Sequence, residues 1–196
     1  MMRAVRVDPI RKFRSWYAAA VRARAPLPDA MALATVDERG APSVRYVLLK
    51  GVDDHGFLFF TDRRSRKARE LAARPRASLA FYWHETGKQV RVEGTVMPVG
   101  DAEADAYWAT RPRGSRLAAA SSTQSTPMPS HRWLVARWRR LRRDLTGRDV
   151  PRPQAWGGYR LAPDAIEFWT RGAFRLHLRE RYERRPRGWR RMLLQP

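Results

Sequence analysis

The stretch AMALATVDERGAPSVRYVLLKGVDDHGFLFFT, residues 30–61, decides the fold class of this chain. It contains three apolar runs joined by two turns that contain Asp and Gly. The runs are AMALATV (30–36), SVRYVLLK (43–50) and GFLFFT (56–61), and the turns are DERG (37–40) and VDDHG (52–56). Short apolar runs separated by such turns predict consecutive antiparallel strands.

The same pattern continues towards the C-terminus. A short helix is predicted in SRKARELAAR, with Ser65 as its N-cap and Pro75 just beyond its end. Further strands are predicted in RASLAFYWH (76–84), KQVRVEGTVMPV (88–99), WGGYRLA (156–162), AIEFWT (165–170), FRLHLRERYER (174–184) and WRRMLL (189–194). Many short strands with regular turn signals favour a closed or nearly closed β-barrel with helices packed outside it.

Three further helices are predicted around these strands. Asp8-Pro9 begins the first, and Asp101 caps the second, which runs to about Thr110. The third carries one apolar stripe, formed by Leu134, Trp138, Leu141 and Leu145. We therefore expect an α+β fold in a single domain, residues 1–196, with a flexible segment at 1–7 and loops at 121–130 and 146–155.

The composition limits the class of protein. The absence of Cys excludes disulfides, thiolate metal sites and a cysteine nucleophile. Neither a signal peptide nor an apolar run of about 20 residues is present, so we expect a cytoplasmic protein without a membrane span. The net charge of +21 attracts phosphates, nucleic acids or anionic membranes without distinguishing them. The arginines at 137–143 raise nucleic-acid binding as an alternative, although a solvated helix face explains them more simply.

The sequence lacks several common motifs of nucleotide-binding and hydrolytic enzymes. The sequence has no P-loop and no G-x-S-x-G elbow, and it also lacks the dinucleotide-binding G-x-G-x-x-G. His84-Glu85 begins like a zincin helix, but Lys88 stands where the next ligand should be, so no metal site is expected. Any redox chemistry would therefore need a cofactor of another kind.

Four cations gather where the predicted second strand ends and the short helix begins: Arg45, Lys50, Arg66 and Lys67. Arg66 and Lys67 lie in the first turn of that helix, where the macrodipole disfavours cations and free N–H groups attract anions. A phosphate bound between them would explain their position. The alternative is that both side chains turn into solvent at a cost of a few tenths of a kcal/mol.

A second polar group is predicted in FRLHLRERYER. In a strand, alternation places Arg175, His177 and Arg179 on one face, and Phe174, Leu176 and Leu178 on the other. Arginine beside histidine can hold an anionic or electron-rich substrate and supply a group that titrates near neutral pH. An exposed strand face is the alternative interpretation.

From Asp8 to the C-terminal LQP, the chain resembles the pyridoxine/pyridoxamine 5′-phosphate oxidase family of FMN enzymes. The motifs occur in order and with the family's spacing. They are DPIRKF, RYVLLK (45–50), FFTDRRSRKARELA (59–72), FYWHETGKQVRVEG (81–94), YWATRPRGS (107–115), QS (124–125), EFW (167–169) and RLHLR (175–179). The resemblance implies an antiparallel, FMN-binding split β-barrel with flanking helices.

The resemblance also implies a homodimer that binds FMN at its interface, with contributions from both subunits. The implied cofactor-binding residues are Arg45, Tyr46, Val47, Leu48, Leu49, Lys50, Phe60, Thr61, Arg66, Lys67, Gln89, Gln124, Ser125, Trp169 and Arg179. Lys50, Tyr107, Arg111 and Ser115 would bind the phosphate of a phosphorylated pyridine substrate, and Arg175 and His177 would be the catalytic pair that positions its ring. The implied reaction converts pyridoxamine or pyridoxine 5′-phosphate to pyridoxal 5′-phosphate: a hydride passes from C4′ to the flavin, and dioxygen reoxidises the flavin to give H₂O₂.

The chain departs from the family pattern at several positions. Leu178 replaces a usual Asp, Ala120 a usual Trp, Thr123 a usual basic residue and Phe60 a usual Tyr, while the N-terminal segment MMRAVRV is short and has no Tyr. These departures keep open a flavin oxidase of another small aromatic substrate, similar to those of phenazine biosynthesis. A flavin carrier without catalysis is a further alternative.

Overall fold

An antiparallel sheet lies at the centre of the computed structural model, which describes residues 8–196. Seven strands follow the spatial order β2-β1-β5-β6-β7-β4-β3, and β8 pairs with β7 and β9. Their bounds are β1 (Ala30–Val36), β2 (Pro42–Leu48), β3 (Gly51–Asp53), β4 (Gly56–Asp62), β5 (Arg76–Trp83), β6 (Lys88–Pro98), β7 (Trp156–Thr170), β8 (Leu178–Arg185) and β9 (Gly188–Leu194). The expectation of flexibility at residues 1–7 lies outside the described residues.

The sheet curls because its two outer strands are neighbours in the sequence. β2 and β3 stand at opposite ends of the seven-strand order, yet only Leu49 and Lys50 separate them. These two residues connect the edges through the backbone: the Leu49 N–H donates to Asp29 O (2.8 Å) and the Lys50 N–H donates to Leu58 O (2.8 Å). The predicted barrel-like arrangement of antiparallel strands is therefore present, and Lys50 lies at the junction of its edges.

Five helices flank the sheet in the described part of the chain: α1 (Pro9–Arg22), α2 (Arg66–Ala73), α3 (Asp101–Thr110), α4 (Arg113–Ser121) and α5 (His131–Asp144). The predicted start of α1 is confirmed, since the Asp8 carboxylate accepts from the Ile10 N–H at 2.9 Å. Ser65 occupies the N-cap position of α2, but its hydroxyl makes no capping bond and is buried without a partner. Gly100, and not Asp101, is the N-cap of α3. No helix was predicted from the sequence where α4 lies.

Two strand predictions were wrong in detail. Residues 156–162 and 165–170 form one strand, β7, because a bulge carries the chain past Pro163 and Asp164: Glu93 pairs with Ala165 whereas Gly94 pairs with Pro163. Proline has no N–H to pair, so a bulge tolerates it. The predicted turn at 52–56 is shorter than expected, since Gly51–Asp53 forms β3 against β4.

The core has two parts. Under α1, Phe13 is buried against the rings of Phe57, Phe81 and Trp83, and these side chains fill the inside of the curled sheet. A smaller cluster forms around Trp108 and Trp156 and is covered by α4 and α5. The predicted apolar stripe of α5 packs against this cluster through Trp138, Leu141 and Leu145. Within residues 8–196, no helix combines the length and apolar character needed to cross a bilayer.

Gly94 of β6, which lies opposite the bulge in β7, allows a prediction about stability. A Cβ at Gly94 would overlap the carbonyl oxygen of Ala162 in the paired strand, whereas a Cβ at Gly114 on α4 would meet open space. Gly94→Ala should lower the free energy of unfolding by about 3 kcal/mol, while the matched Gly114→Ala should raise it by up to about 1 kcal/mol. Urea denaturation of both variants measures the difference, and equal effects would contradict the close approach of β6 and β7.

Candidate functional site

A cavity of about 740 Å³ opens between β2, β4, α3 and α4. It brings together many of the side chains that the resemblance implied for the cofactor, along with all four implied for the substrate phosphate. These are Arg45, Tyr46, Val47, Leu48, Phe60, Thr61, Lys67 and Gln124 from the first set, Tyr107, Arg111 and Ser115 from the second, and Lys50, which belongs to both. Pockets that take ligands of cofactor size measure about 300–1,000 Å³, so this cavity has a suitable volume.

Lys67 supplies a buried charge to the cavity wall. Its Nζ donates to Gln124 Oε1 (2.8 Å) and Thr61 Oγ1 (3.2 Å), and no carboxylate of the described residues lies within 4 Å of it. Burial, assisted by the neighbouring charge of Arg45, lowers the pKa of Lys67 to about 8. An anion that binds beside Lys67 would therefore stabilise its charged form.

Gln124 is tied to the same wall by its backbone. Its N–H faces Asp62 Oδ2 at 3.4 Å, and Asp62 also accepts a two-pronged interaction from Arg64. Burial alone would raise the pKa of Asp62, but the hydrogen bonds from Arg64 and Gln124 outweigh it and leave that pKa lowered. The first residues after α4 are thereby held beside Lys67.

Another part of the cavity wall is aromatic and cationic. The ring of Tyr107 stacks on Phe60 with centroids 4.1 Å apart, and the Arg111 guanidinium lies 4.7 Å from the ring centroid of Trp156. Burial lowers the pKa of Arg111, and no described carboxylate pairs with it. Lys50 is different, because it forms an ion pair with Asp29 at 2.9 Å. Arg111 Nη2 donates to the Ser115 carbonyl oxygen at 3.3 Å, so an anion can bind Arg111 without displacing a carboxylate.

A second group of predicted residues lies outside the cavity. Gln89, Trp169 and Arg179 are cross-strand neighbours on β6, β7 and β8, since Gln89 pairs with Trp169 and Trp169 pairs with Arg179. Directly paired residues share a face of the sheet. Tyr82 pairs with Gln89 and extends this row by one strand. The predicted cofactor residues thus fall into two separate groups in one chain.

Arg175 and His177 belong to the second group, but the predicted strand that would carry them was wrong. Residues Ala173–Arg175 form a 3₁₀ turn, and β8 begins only at Leu178. Phe174 and Arg175 have left-handed φ values of 51° and 65°, which take the chain out of the extended conformation and abolish the predicted alternation. Phe174 and Leu176 are accordingly exposed.

The turn nevertheless holds His177 in a defined position. Its ring lies 4.5 Å from the ring of Trp169, centroid to centroid, and its Nδ1 accepts from the Gly172 N–H at 3.2 Å. With Nδ1 as acceptor, the proton of the neutral imidazole is on Nε2, which can then donate to a ligand. A Cβ at Gly172 would overlap the carbonyl oxygen of Leu176, so this turn requires glycine there.

Three predicted residues lie elsewhere. Leu49 is buried. Arg66 is exposed beside the cavity and donates from Nε to Glu70 Oε1 at 2.7 Å. Ser125 follows Gln124 with a left-handed φ of 68° and does not line the cavity.

Three residues at or beside the cavity, Glu70, Asp62 and Trp156, were not predicted as site residues from the sequence. The contact between Glu70 and Arg66 could have been predicted, because Glu70 stands four residues after Arg66 on a predicted helix and residues at that spacing share a helix face. No local sequence pattern indicates Asp62 or Trp156, since their positions depend on the pairing of β4 with β7. Among the departures, Phe60 stacks on Tyr107 without needing a hydroxyl, while Ala120 and Thr123 do not line the cavity.

Two family models match the chain. The one described as pyridoxamine 5′-phosphate oxidase matches residues 18–143, and the one described as pyridoxine 5′-phosphate oxidase C-terminal dimerisation region matches residues 156–196. The second range contains β7, β8 and β9, and therefore Trp169, Arg175, His177 and Arg179.

Curated relatives cover nearly the whole chain. A pyridoxine/pyridoxamine 5′-phosphate oxidase from Rubrobacter xylanophilus is 52% identical over 96% of this chain and 87% of its own length. One from Anaeromyxobacter dehalogenans is 53% identical over 96% of both. The breadth of these matches shows that the resemblance extends beyond the motifs around the cavity.

Two solved structures share the fold. PhzG from Burkholderia lata 383, in complex with tetrahydrophenazine-1-carboxylic acid, superposes with a TM-score of 0.92 at 38% identity, covering 96% of this chain and 93% of its own. A pyridoxamine 5′-phosphate oxidase-related, FMN-binding protein from Nostoc punctiforme has a TM-score of 0.79 at 19% identity, covering 97% and 99%, and supports the fold alone. The predicted split barrel is confirmed. From the family models and the curated relatives together, we conclude that this chain belongs to the pyridoxine/pyridoxamine 5′-phosphate oxidase family.

Proposed function

We propose that this chain is an FMN-dependent oxidase that converts pyridoxamine or pyridoxine 5′-phosphate to pyridoxal 5′-phosphate. The observation that carries the proposal is the cavity in which Lys67 and Arg111 are desolvated cations without a carboxylate partner among residues 8–196. Two such cations on the wall of one cavity suit two anionic groups, the phosphate of a cofactor and the phosphate of a substrate.

The residues of the cavity fit FMN. Lys67, Thr61 and Gln124 offer a cation and polar groups for a phosphate and a hydroxylated chain, with Arg45 beside them. Backbone and apolar side chains of Tyr46, Val47 and Leu48 line the adjoining wall, which suits a flat ring. When bound, FMN would supply a hydride acceptor that dioxygen reoxidises with release of H₂O₂. Loss of hydride and a proton would convert the alcohol of pyridoxine 5′-phosphate directly to the aldehyde, whereas the imine from pyridoxamine 5′-phosphate would take up water and release ammonia.

A homodimer would complete the site. Gln89, Trp169 and Arg179 form a row of half-buried side chains on the sheet and do not line the cavity of their own chain. Trp169 and Arg179 lie in the range that matches the dimerisation region. We infer that the row from one subunit closes the cavity of the other, so that both subunits contribute to each FMN site.

The substrate would be held at both ends. Arg111, Lys50, Tyr107 and Ser115 would bind its phosphate, because all four line the cavity and two of them are cations. Arg175 and His177 of the other subunit would bind the pyridine ring, His177 by donating from Nε2 to an electron-rich atom. The protein thereby fixes the distance and orientation between substrate and cofactor.

Two measurements test this function. The purified protein should show a flavin absorption spectrum, and addition of either phosphorylated vitamer in air should produce pyridoxal 5′-phosphate and H₂O₂ in equal amounts. A protein that binds FMN but turns over neither vitamer would overturn the substrate assignment. A colourless protein that takes up no added FMN at low ionic strength would overturn the whole proposal.

A flavin oxidase of another aromatic substrate is the second candidate, favoured by the TM-score of 0.92 with PhzG. Arg111 and the residues around it argue for a phosphorylated ligand instead. Thermal unfolding separates the two, because a ligand stabilises the folded protein according to its concentration and affinity. Protection by a non-phosphorylated aromatic acid, with none by pyridoxal 5′-phosphate, would favour the second candidate.

A further inference from the structure

Glu70 is a buried carboxylate that joins α2 to β1 and β2. Its two oxygens accept from Thr35 Oγ1 (2.5 Å), Ser43 Oγ (2.7 and 2.9 Å), Arg66 Nε (2.7 Å) and Arg45 Nη2 (3.0 Å). Burial alone would raise the pKa of Glu70, but these hydrogen bonds lower it to about 2, so the group is ionised at neutral pH. Glu70 does not line the cavity, and the function proposed above does not use it.

The guanidinium of Arg45 is held by the same network. Nη1 donates to Leu33 O (3.3 Å) and Thr35 Oγ1, while Nη2 donates to Ser43 Oγ (2.6 Å) and Glu70 Oε2 (3.0 Å). A guanidinium has five N–H groups, four of them on the two Nη atoms, so only the Nε–H is left for another acceptor. The orientation of this charge at the cavity wall is thereby fixed.

Resting on the function proposed above, we propose that Glu70 is a positioning residue for the phosphate end of the FMN site. It holds the guanidinium of Arg45, a residue of the cavity wall, so that this charge is in place before FMN binds. Glu70 should therefore set the affinity for the phosphate of FMN and leave the affinity for the flavin ring unchanged.

Repulsion between Glu70 and the phosphate is the opposing effect, but the geometry limits it. Glu70 does not line the cavity, whereas its ion-pair partner Arg45 does, so a phosphate in the cavity would contact Arg45 and not Glu70. Glu70 with its two arginines carries a net charge of +1, and Lys67 adds to it. We expect the gain from orienting Arg45 to exceed the repulsion.

The test compares FMN with riboflavin, which has the same ring and no phosphate. Dissociation constants are measured on the flavin-free full chain by quenching of flavin fluorescence, for the wild type and for Glu70→Gln. The amide keeps the shape but loses one acceptor and the charge, so the constant for FMN should rise about tenfold while that for riboflavin stays unchanged.

Glu180→Gln is the matched control. Glu180 is also a buried carboxylate shared by two cations, Lys12 and Arg191, but it lies on β8 away from the cavity. Its replacement should change neither constant. If Glu70→Gln does not fold, Ser43→Ala replaces it, because this variant removes a hydroxyl that contacts both Glu70 and Arg45; the ratio of FMN to riboflavin affinity should then fall by a smaller factor.

The possible results are distinguishable. An equal loss of affinity for both flavins would mean that Glu70 supports only the fold, and tighter binding of FMN would mean that repulsion prevails; either result overturns the positioning role. A wild-type protein that binds neither flavin would instead overturn the proposed function itself.

Discussion

Replacing Lys67 with methionine should abolish useful FMN affinity while making the flavin-free protein more stable. Lys67 is buried beside the cavity without a carboxylate partner in the described chain, so its charge raises the free energy of the folded protein until an anion binds. We expect the FMN dissociation constant to rise about 100-fold and the free energy of unfolding to increase by about 1–2 kcal/mol. Flavin titration and urea denaturation measure the two effects.

The pH dependence gives this prediction a second measurement. The folded protein has a lysine pKa of about 8 at this site, below the ordinary 10.5, so between these values the unfolded chain binds more protons than the folded one. Stability from this group therefore increases as the pH rises from 8 to 10.5. The stability gap between the wild type and Lys67→Met should narrow over that range, and wild-type FMN affinity should fall above pH 8.

Lys12→Met is the control for Lys67→Met. Lys12 is similarly screened from solvent but contacts Glu180, so its loss should destabilise the protein and leave FMN affinity unchanged. We interpret Lys67 as a cation that is unpaired until it binds the phosphate of FMN. This interpretation would be contradicted if Lys67→Met lost stability as Lys12→Met does, or if it bound FMN normally.

Substitution of His177 or Arg175 by alanine should remove catalysis without removing FMN. Both side chains lie on the turn before β8 and outside the cavity that holds the proposed phosphate sites, and His177 can donate from Nε2. We expect kcat/KM for the phosphorylated vitamers to fall about 100-fold for each variant, with FMN affinity within about twofold of the wild type. Steady-state H₂O₂ production and flavin titration provide the comparison.

His55→Ala is the matched histidine control, because His55 lies in the exposed turn between β3 and β4 and does not line the cavity. Its turnover should equal that of the wild type. Unchanged turnover in both His177→Ala and Arg175→Ala would remove these residues from the catalytic assignment. Loss of FMN from them would instead place the turn on the flavin-binding surface.

The comparison of sequence and structure separates local from non-local information. Three of the four strands within residues 30–61 and the start of α1 at Asp8-Pro9 were predicted, because strand patterns and capping depend on residues a few positions apart; the short β3 was missed. The turn at 173–175 was predicted as strand because Phe174 and Arg175 alternate like strand residues, and nothing local in their side chains indicates a left-handed conformation.

By itself, the sequence determined the α+β class, the order of most strands along the chain, the membership of the family and the residue types available for two phosphates. Only the tertiary structure decided that these residues divide between a cavity and a separate row on β6, β7 and β8, that Arg66 turns to Glu70, and that Arg45 has one free donor. The physical reason is that these contacts join residues far apart in the chain. Thr35 and Glu70, or Gln89 and Trp169, meet only through the pairing register of the sheet and the packing of α2 against it, which local periodicity does not encode.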